Sequence, residues 1–378
     1  MSRPTLGLAM LGYGFMGRAH SEAVRQLAYV ANPPPADVQF VAICGRTRSA
    51  VDEAADRYGY ARAVTDWREI VEDPQVQLFD NVGPNDLHAE PTIAAAQAGK
   101  HVICEKPLAR IADESYEVWR AVDAARVKHL CAFNYRFVPA VRLARQIIES
   151  GELGEIHHFR GRYLQEWLLD PAAPATWRVD RDQAGSGALG DLGAHVIDLA
   201  RYLVGEISAV SGQLKTFVGE RTGSPVTVDD AFQGVLEFAS GAVGTIEATR
   251  FAAGRKNQFA WEINASRGSL AFDMERLNEL QISSGTTGFT RRLVTEADDP
   301  FLRFWWPAGH IIGWGDTFVH ELHHMLEAIV EDRPVGPHAA TFEDGYRAAE
   351  VCDAIARSHQ SGSRQVLNYR NLDSKAAT

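Results

Sequence analysis

The feature that most limits how this chain can fold is a run of closely spaced glycines, Gly12, Gly14 and Gly17, directly after a short apolar stretch. In a strand-to-helix turn, the first glycine permits a tight bend, the second lets a diphosphate approach the backbone, and the third lets helix and strand pack closely. The pattern therefore predicts a turn that binds a dinucleotide. Phe15 and Met16, within the same turn, are expected to adjoin that ligand.

The first third of the chain alternates short apolar runs with helical patterns. Helical spacing of apolar residues occurs at 90–98 and 114–127, and each connection is long enough to join parallel strands. The alternation predicts an α/β fold with a doubly wound parallel sheet of the Rossmann type over residues 1–133. Its strands are expected at 6–11, 40–44, 78–82, 101–104 and 130–133.

Residues 134–378 are expected to form a second domain, because 378 residues exceed the usual size of one domain. Consecutive strand-like runs with Gly-rich turns predict an α/β domain with a large open, mostly antiparallel sheet. Its strands are expected at 156–163, 226–238, 242–248, 260–265 and 269–272, and its helices at 138–148, 318–330 and 342–358.

The overall charge disfavours two classes of partner. A formal net charge of -11 repels phosphate backbones and anionic headgroups, so neither nucleic acid nor a membrane is expected to bind. The 4 cysteines are scattered without metal or disulfide spacing, which favours a reduced, cytoplasmic protein. We see no export signal and no apolar run long enough to span a bilayer.

The end of the second predicted strand departs from the usual dinucleotide-binding pattern. Most NAD-binding versions place an acidic residue there to hold the ribose hydroxyls, whereas this chain has Gly45 and Arg46. An arginine can pair with a 2′-phosphate, so the pattern predicts NAD(P) and leaves NAD versus NADP open. After the next strand, Pro84, Asn85 and His88 are candidates for cofactor contact, and Asn85 is equally suited to cap the following helix.

Three further side chains have the chemistry of a hydroxyl-oxidising site. Lys106 follows a strand, where it can hold a reacting oxygen and stabilise developing negative charge, and both Lys106 and the preceding Glu105 are candidates for cofactor contact. Asp191 and His195 are four residues apart after a Gly-rich segment, so on a helix they share one face. A carboxylate beside an imidazole fixes its tautomer and makes it a proton acceptor, although such a pair also occurs as a simple surface contact.

A competing motif lies near the end of the chain. His320 and His324, with Glu321 between them, have the HExxH spacing of a zinc hydrolase. The neighbouring apolar residues indicate instead a packed helix face with the histidines at its edges. No metal is therefore expected, and a zinc hydrolase is the most remote alternative.

Together the glycine turn, the CEKP segment and the GSGALGDLGAH segment resemble the family of glucose-fructose oxidoreductase, inositol dehydrogenase and the rhizopine-catabolism protein MocA. The resemblance spans nearly the whole chain. It implies an NAD(P)-dependent sugar or polyol oxidoreductase in which Lys106, Asp191 and His195 are catalytic and also contact the substrate. It further implies an open sheet that builds a homodimer or homotetramer. A dinucleotide-binding sensor without catalysis is the alternative, since a fold does not dictate function.

Within that family the chain looks most like bacterial enzymes that oxidise levoglucosan or other glucosides at the C3 hydroxyl. This likeness implies that Tyr135, Gln165 and Trp167 face the sugar, with Trp177 and Arg178 near the cofactor. Each of these residues is equally plausible as part of the core. The segments that carry the likeness are 133–136, 163–167, 176–178 and 247–250.

Overall fold

The computed structural model describes residues 3–372, which form two compact units. The first unit contains residues 3–109, 113–137 and 313–346, and the second contains 110–112, 138–312 and 347–372. The chain thus returns to the first unit late in the sequence. A division at residue 133 does not anticipate this return, because helical periodicity identifies a helix without indicating which sheet it packs against.

The helices and strands are numbered in chain order. The helices are α1 (Phe15–Val30), α2 (Arg48–Tyr58), α3 (Arg68–Val71), α4 (Ala89–Gln97), α5 (Ala112–Ala125), α6 (Pro139–Glu149), α7 (Arg181–Ala184), α8 (Ala194–Val204), α9 (Asp316–Val330) and α10 (Phe342–Ser361). The strands are β1 (Thr5–Leu11), β2 (Asp37–Cys44), β3 (Arg62–Val64), β4 (Leu78–Asn81), β5 (His101–Cys104), β6 (His129–Cys131), β7 (Ile156–Leu164), β8 (Ile207–Lys215), β9 (Glu220–Arg221), β10 (Ser224–Pro225), β11 (Ala231–Phe238), β12 (Val243–Thr249), β13 (Gln258–Ala265), β14 (Gly268–Asp273), β15 (Glu279–Ser284), β16 (Thr290–Leu293) and β17 (Gln365–Val366).

The first unit is a doubly wound parallel sheet of six strands in the order β3-β2-β1-β4-β5-β6, which confirms the predicted Rossmann fold. Its central strands are apolar because helices cover both faces, so that Leu8, Met10 and Phe79 are fully buried. We did not predict β3, since its Arg-Ala-Val sequence contains no apolar run.

Helix α9 belongs to this first unit and packs against α1. The ring of Phe318 on α9 lies 5.2 Å from that of His20 on α1, centroid to centroid. At the other end of the contact, Gln26 Nε2 donates to Asp316 Oδ1 at 3.1 Å. Helix α9 therefore helps to bury the side of α1 that carries His20.

The second unit is built on a nine-stranded sheet in the order β16-β15-β14-β13-β7-β12-β11-β8-β17. Strands β7 and β12 are parallel, whereas the other neighbouring strands are antiparallel. The predicted large, mostly antiparallel sheet is confirmed. Helix α8 is buried from Ala194 to Leu203 and packs on β7 and β12, while Ile355 of α10 lies beside Gly212 of β8.

The strand predicted over 226–238 begins only at Ala231, and the reason is a pair of acidic residues. Asp229 accepts hydrogen bonds from the backbone N–H groups of Gly187 and Leu189, both at 2.8 Å. Asp230 accepts from the N–H of Phe217 at 2.7 Å. These carboxylates bind loop amides, so the chain here forms a junction instead of a continuous strand.

The opposite face of the large sheet carries exposed side chains. Val235 and Val243 are 53% and 43% exposed, and Arg160 and Arg162 lie on the same face of β7. Among residues 3–372, no helix has both the length and the apolar content needed to cross a membrane.

Candidate active site

The predicted dinucleotide-binding turn joins β1 to α1. Gly12 has a φ of 107°, and a β-carbon there would lie 2.7 Å from the carbonyl oxygen of Val82. A β-carbon on Gly17 would lie 2.4 Å from the carbonyl oxygen of Gly12, whereas at Gly14 it would meet nothing within 4 Å. The packing of the protein thus requires glycine at positions 12 and 17, whereas Gly14 faces open space.

The start of α1 is well suited to an anion. Gly14 occupies the N-cap position, no side chain caps the helix, and the first turn contains no acidic residue. The N–H groups of a helix N-terminus attract phosphate through their partial positive charge. Phe15 is 58% exposed at this turn, while Met16 packs against the apolar cluster around Met10 and Ile43.

Gly45 and Arg46 lie immediately after β2, as expected. A β-carbon on Gly45 would lie 2.0 Å from Cε1 of Tyr13, so the Tyr13 ring occupies the place of a side chain there. Arg46 is exposed. Arg46 is therefore the charged side chain next to the position where an acidic residue usually holds ribose.

The loop after β4 is held by a side chain that we did not single out. Asn81 donates through Nδ2 to the carbonyl of Leu87 at 2.9 Å and accepts through Oδ1 from the N–H of Gly83 at 3.2 Å. Pro84 and Asn85 begin a short 3-10 turn, and α4 starts only at Ala89. The predicted capping of α4 by Asn85 is therefore wrong, because this extra turn separates Asn85 from the helix.

His88 joins two loops at the carboxyl ends of β4 and β5. Its Nδ1 donates to the carbonyl of Pro107 at 2.7 Å, and its Nε2 lies 3.0 Å from the carbonyl of Gly83. Burial lowers the pKa of His88, and these two carbonyl contacts oppose that effect. The side chain is 1% exposed, so our prediction of direct cofactor contact is corrected: His88 holds the loops together.

Glu105 belongs to a buried ionisable cluster that was missed at the level of sequence. His20 Nδ1 lies 2.9 Å from Asp80 Oδ2, and His20 Nε2 lies 3.3 Å from Glu105 Oε1. Burial alone lowers the pKa of His20, but the charges and hydrogen bonds of Asp80 and Glu105 outweigh it and raise the pKa well above 6.5. The second oxygen of Glu105 accepts the backbone N–H of Lys106 at 3.0 Å. The cluster thus fixes the backbone that carries the candidate catalytic lysine.

Tyr135 is connected to the glycine turn by an aromatic residue. The indole Nε1 of Trp314 donates to Tyr135 Oη at 3.3 Å, and the Trp314 ring stacks on Phe15 with centroids 5.5 Å apart. Tyr135 is 4% exposed. In the first unit, the predicted cofactor residue Phe15 and the predicted sugar residue Tyr135 thus share Trp314 as a neighbour.

In the second unit, Asp191 lies in a π-helical turn, Leu189–Gly193, that leads directly into α8. The expectation of one regular helix is therefore wrong at this position, although His195 does lie in the first turn of α8. Such single π-turns occur often at functional sites. The turn is closely packed, since a β-carbon on Gly187 would lie 1.7 Å from the carbonyl oxygen of Asp229.

The carboxylate of Asp191 has a partner that the sequence did not indicate. Arg250 Nη2 donates to Asp191 Oδ2 at 2.9 Å. Arg178 also lies near this pair: burial lowers its pKa, Asp191 raises it and Arg250 lowers it further. Arg178 and the predicted cofactor residue Trp177 share a 3-10 turn, with the guanidinium 4.4 Å from the indole centroid.

Two of the predicted sugar-facing residues, Gln165 and Trp167, belong to a hydrogen-bonded chain around Asn257. Tyr163 Oη and Gln165 Nε2 donate to Asn257 Oδ1 at 2.9 and 2.6 Å. Trp167 Nε1 donates to Gln165 Oε1 at 2.8 Å, and its ring is 43% exposed. The Tyr163 ring lies 6.0 Å from that of His195, which is 6% exposed. The second unit therefore brings together His195, Gln165 and Trp167 around Tyr163 and Asn257.

Two histidines of the HExxH segment donate hydrogen bonds to main-chain carbonyls. His320 Nδ1 donates to the carbonyl of Phe137 at 2.9 Å, and His324 Nε2 donates to that of Val335 at 2.7 Å. Burial lowers the pKa of His320 to about 4. Within the described part of the chain, residues 3–372, no group of three or more His, Cys, Asp or Glu side chains has metal-binding geometry.

The supporting residues missed by sequence reasoning are polar groups at strand ends. Asp80 and Asn81 form a polar pair inside an otherwise apolar strand, which is a signal that sequence reasoning can use. Asn257 and Arg250 lie beside strand ends, and the local sequence gives no comparable signal for either residue. Their partners are distant in sequence and are brought close only by the folding of the sheet.

Two family descriptions match the chain. "Oxidoreductase family, NAD-binding Rossmann fold" covers residues 6–133, and "GFO/IDH/MocA C-terminal domain" covers residues 141–271. Levoglucosan dehydrogenase of Pseudarthrobacter phenanthrenivorans is 43% identical over 376 residues, covering 93% of this chain and 96% of that protein. Inositol 2-dehydrogenase of Rhizobium meliloti is 26% identical over 355 residues, covering 94% of this chain and 97% of that protein.

Solved structures agree with this assignment. A levoglucosan dehydrogenase in complex with NADH and levoglucosan superimposes with a TM-score of 0.93 at 43% identity, covering 96% of this chain and 99% of that chain. An oxidoreductase domain protein from Kribbella flavida also gives 0.93 at 43% identity, with 97% and 100% covered. Both halves of the sequence are matched, and the predicted resemblance is confirmed. The chain is an oxidoreductase that belongs to the GFO/IDH/MocA family.

Proposed function

We propose that the protein oxidises a secondary hydroxyl of a sugar, at C3 of levoglucosan or a related glucoside, with NAD(P) as hydride acceptor. The observation that carries the proposal is the placement of His195, 6% exposed in the first turn of α8, beside the polar and aromatic chain of Tyr163, Gln165 and Trp167. The similarity to proteins named levoglucosan dehydrogenase supports the same substrate class.

The glycine turn fits a dinucleotide. Open space above Gly14 and an uncapped helix N-terminus suit a diphosphate, which α1 would hold through its first N–H groups. Phe15, Pro84, Asn85 and Glu105 lie at or beside the carboxyl ends of the strands, where ligands of doubly wound sheets bind. When bound, the nicotinamide accepts the hydride that leaves the sugar carbon.

Three side chains are assigned to the proton and to the charge that develops when it leaves. His195 removes the hydroxyl proton, and Asp191 stabilises the imidazolium that results. Lys106 donates a hydrogen bond to the same oxygen and stabilises negative charge as the proton departs. The hydrogen bond from the backbone N–H of Lys106 to Glu105 holds the main chain from which the lysine side chain extends.

The side chains proposed to bind the sugar suit a ring with hydroxyl edges and C–H faces. Gln165 offers an amide whose orientation is set by Asn257 and Trp167, and Trp167 offers an exposed aromatic face. Tyr135 adds a phenol oriented by Trp314. We propose these three residues, with Trp177 and Arg178 near the cofactor, as determinants of substrate binding.

We further propose that the protein is a homodimer or homotetramer assembled through the exposed face of the large sheet. That face combines apolar and charged side chains, including Val235, Val243 and Arg160. An exposed sheet face of mixed character is typical of a protein interface.

The test is reduction of NAD⁺ and NADP⁺ by the purified protein at alkaline pH, with levoglucosan, glucosides, other anhydrosugars and inositols as donors. We expect rapid reduction with levoglucosan or a glucoside. Levoglucosan deuterated at C2, C3 or C4 then locates the reaction: label should reach the nicotinamide only from C3. Transfer from another carbon would overturn the C3 assignment, and no turnover with any donor would overturn the proposed function and favour a sensor.

A further inference from the structure

The side chain of Arg250, which directly follows β12, joins several segments of the candidate site within the second unit. It is 1% exposed. Its Nη2 donates to Asp191 Oδ2 at 2.9 Å and lies 3.2 Å from the carbonyl of Gly187, while its Nη1 lies 3.3 Å from the carbonyl of Arg178. Its Cζ lies 5.2 Å from the centroid of the Trp167 ring.

These contacts use the shape of a guanidinium. The group donates through its N–H groups to the oxygens of Gly187 and Asp191, while its central carbon lies over an aromatic ring. An ammonium group is compact and cannot make both kinds of contact in this arrangement. An arginine at position 250 therefore fixes the Asp191 carboxylate and the Trp167 ring with a single side chain.

The charges around Asp191 favour its ionised form. Arg250 provides the direct ion pair, and Arg178 provides a second nearby cation. Two other ionisable groups face this region: His195, four residues along the chain, and Asp229, whose carboxylate is influenced by Arg250. The side chain of Asp191 is 28% exposed, and Arg250, at 1%, is more deeply buried than the half-buried Arg178.

We propose that Arg250 is a positioning residue that holds Asp191 ionised and oriented for proton transfer and supports Trp167 as the sugar-binding surface. The role of Arg250 in catalysis rests on the proposed function. The effect of Arg250 on the Asp191 carboxylate does not depend on it. One guanidinium thus couples the acid–base pair to substrate recognition, so a single substitution should affect both kcat and KM.

The experiment compares Arg250→Met with Arg250→Lys and uses Arg221 as a matched control. Arg221 is also 1% exposed, donates to the carbonyls of Asp170 and Leu168 at 2.7 and 2.6 Å, and lies over the ring of Phe251 at 5.8 Å. It resembles Arg250 in burial and packing, and no carboxylate of residues 3–372 forms an ion pair with it. Arg221→Met therefore tests general loss of a buried arginine.

The first readout is direct titration of Asp191 by NMR of protein labelled with ¹³C at the aspartate carboxyl carbons, with Asp191→Asn used to assign the signal. We expect its midpoint to rise by about one pH unit in Arg250→Met, because removing an adjacent cation disfavours the carboxylate and Arg178 still compensates in part. Arg250→Lys, which keeps the charge, and Arg221→Met should each leave the midpoint near its original value. An unchanged midpoint in Arg250→Met would overturn the proposal.

The second readout is the pH dependence of turnover. In Arg250→Met the acid limb of the kcat/KM profile should move to higher pH together with the NMR midpoint. Arg250→Lys should keep the acid limb but raise KM for the sugar about 5- to 10-fold, because Trp167 loses the guanidinium that lies over its ring. If Arg250→Lys and Arg221→Met change KM equally, the role assigned through Trp167 fails. Absence of turnover in the unmodified protein would reject the proposed function. It would leave the effect of Arg250 on Asp191 open to test, since the NMR titration needs no substrate.

Discussion

The ring of Tyr13 lies so close to Gly45 that a β-carbon on Gly45 would be 2.0 Å from Cε1 of Tyr13. The usual carboxylate that selects NAD therefore cannot be introduced at this residue without displacing the ring. We therefore propose that selectivity between NAD and NADP depends on the next residue, the exposed Arg46. This relationship makes cofactor choice testable by a single substitution.

We predict that Arg46→Ala lowers kcat/KM for NADP⁺ about 10- to 100-fold and leaves that for NAD⁺ nearly unchanged. A hydrogen-bonded arginine–phosphate pair is worth about 1.5–3 kcal/mol, and only NADP⁺ has the 2′-phosphate. Initial rates with both cofactors provide the measurement. Arg48→Ala is the control, because Arg48 is bonded to Asp52 and the carbonyl of Ala63. Equal losses with both cofactors would contradict the role of Arg46.

The glycine turn allows loss of ligand binding to be separated from loss of folding. Gly14→Ala adds a methyl group that meets no protein atom within 4 Å, so the melting temperature should change little while NADH affinity falls at least 10-fold. Gly17→Ala places its β-carbon 2.4 Å from a carbonyl oxygen and should lower the melting temperature by several degrees. Calorimetry and fluorescence titration with NADH measure the two effects. Normal NADH affinity in Gly14→Ala would refute a diphosphate at this position.

Substitution of the proposed catalytic groups should reduce turnover without preventing cofactor binding. Lys106→Met and His195→Asn should each lower kcat about 10²- to 10⁴-fold, the usual contribution of a positioned acid or base. Binding of NADH, followed by its fluorescence, should remain within a few-fold of normal. Retained turnover in both variants would show that the reaction uses other groups.

The His20 cluster predicts how stability changes with pH. A raised pKa in the folded state means that the contribution of His20 to stability is complete below pH 6.5 and is lost as the pH rises through the raised folded value. The free energy of unfolding should therefore decrease with pH above 6.5, with a slope of up to about 1.4 kcal/mol per pH unit from this group. Urea unfolding across that range provides the measurement.

His20→Gln is the comparison for this prediction. The neutral amide has no such proton to lose, so the difference in unfolding free energy between the unmodified protein and the variant should become smaller as the pH rises. A difference that stays constant with pH would mean that His20 is not protonated in the folded protein. His320→Gln is a useful control, because burial lowers the pKa of His320 and reverses the sign.

The exposed sheet face predicts an effect on assembly. Val235→Asp places a charge on this face, where Val235 is 53% exposed, and should shift the protein toward a smaller oligomer in light scattering. Tyr29→Asp is the control, since Tyr29 is 87% exposed on α1. An unchanged mass for Val235→Asp would place the subunit interface elsewhere.

The sequence predicted the architecture of both sheets because apolar periodicity directly reports strands and helices that are buried on a regular face. It also located Gly12, Lys106 and His195, which lie at strand or helix ends where motif spacing is short. It could not predict the ion pair of Asp191 with Arg250, since the two residues are 59 positions apart and only the packing of the π-turn against β12 brings their segments together.

Local irregularities of the backbone explain the remaining differences between the sequence predictions and the structure. The π-turn containing Asp191 and the 3-10 turn beginning at Asn85 each change helical phase, which a periodic pattern cannot register. His88 was predicted to contact the cofactor because of its position in a loop. Its two carbonyl partners, however, come from segments on either side of a helix. Such features depend on tertiary contacts that no short motif contains.

The late return of the chain to the first unit has a consequence for biosynthesis. The side of α1 around His20 is completed by Phe318, which leaves the ribosome only after nearly the entire second unit has been made. Nascent chains therefore carry an incompletely covered α1 through most of translation, and a fragment ending at residue 133 would do so permanently. We expect such a fragment to depend on chaperones, since an early-folding segment whose covering helix arrives last exposes apolar surface to its neighbours.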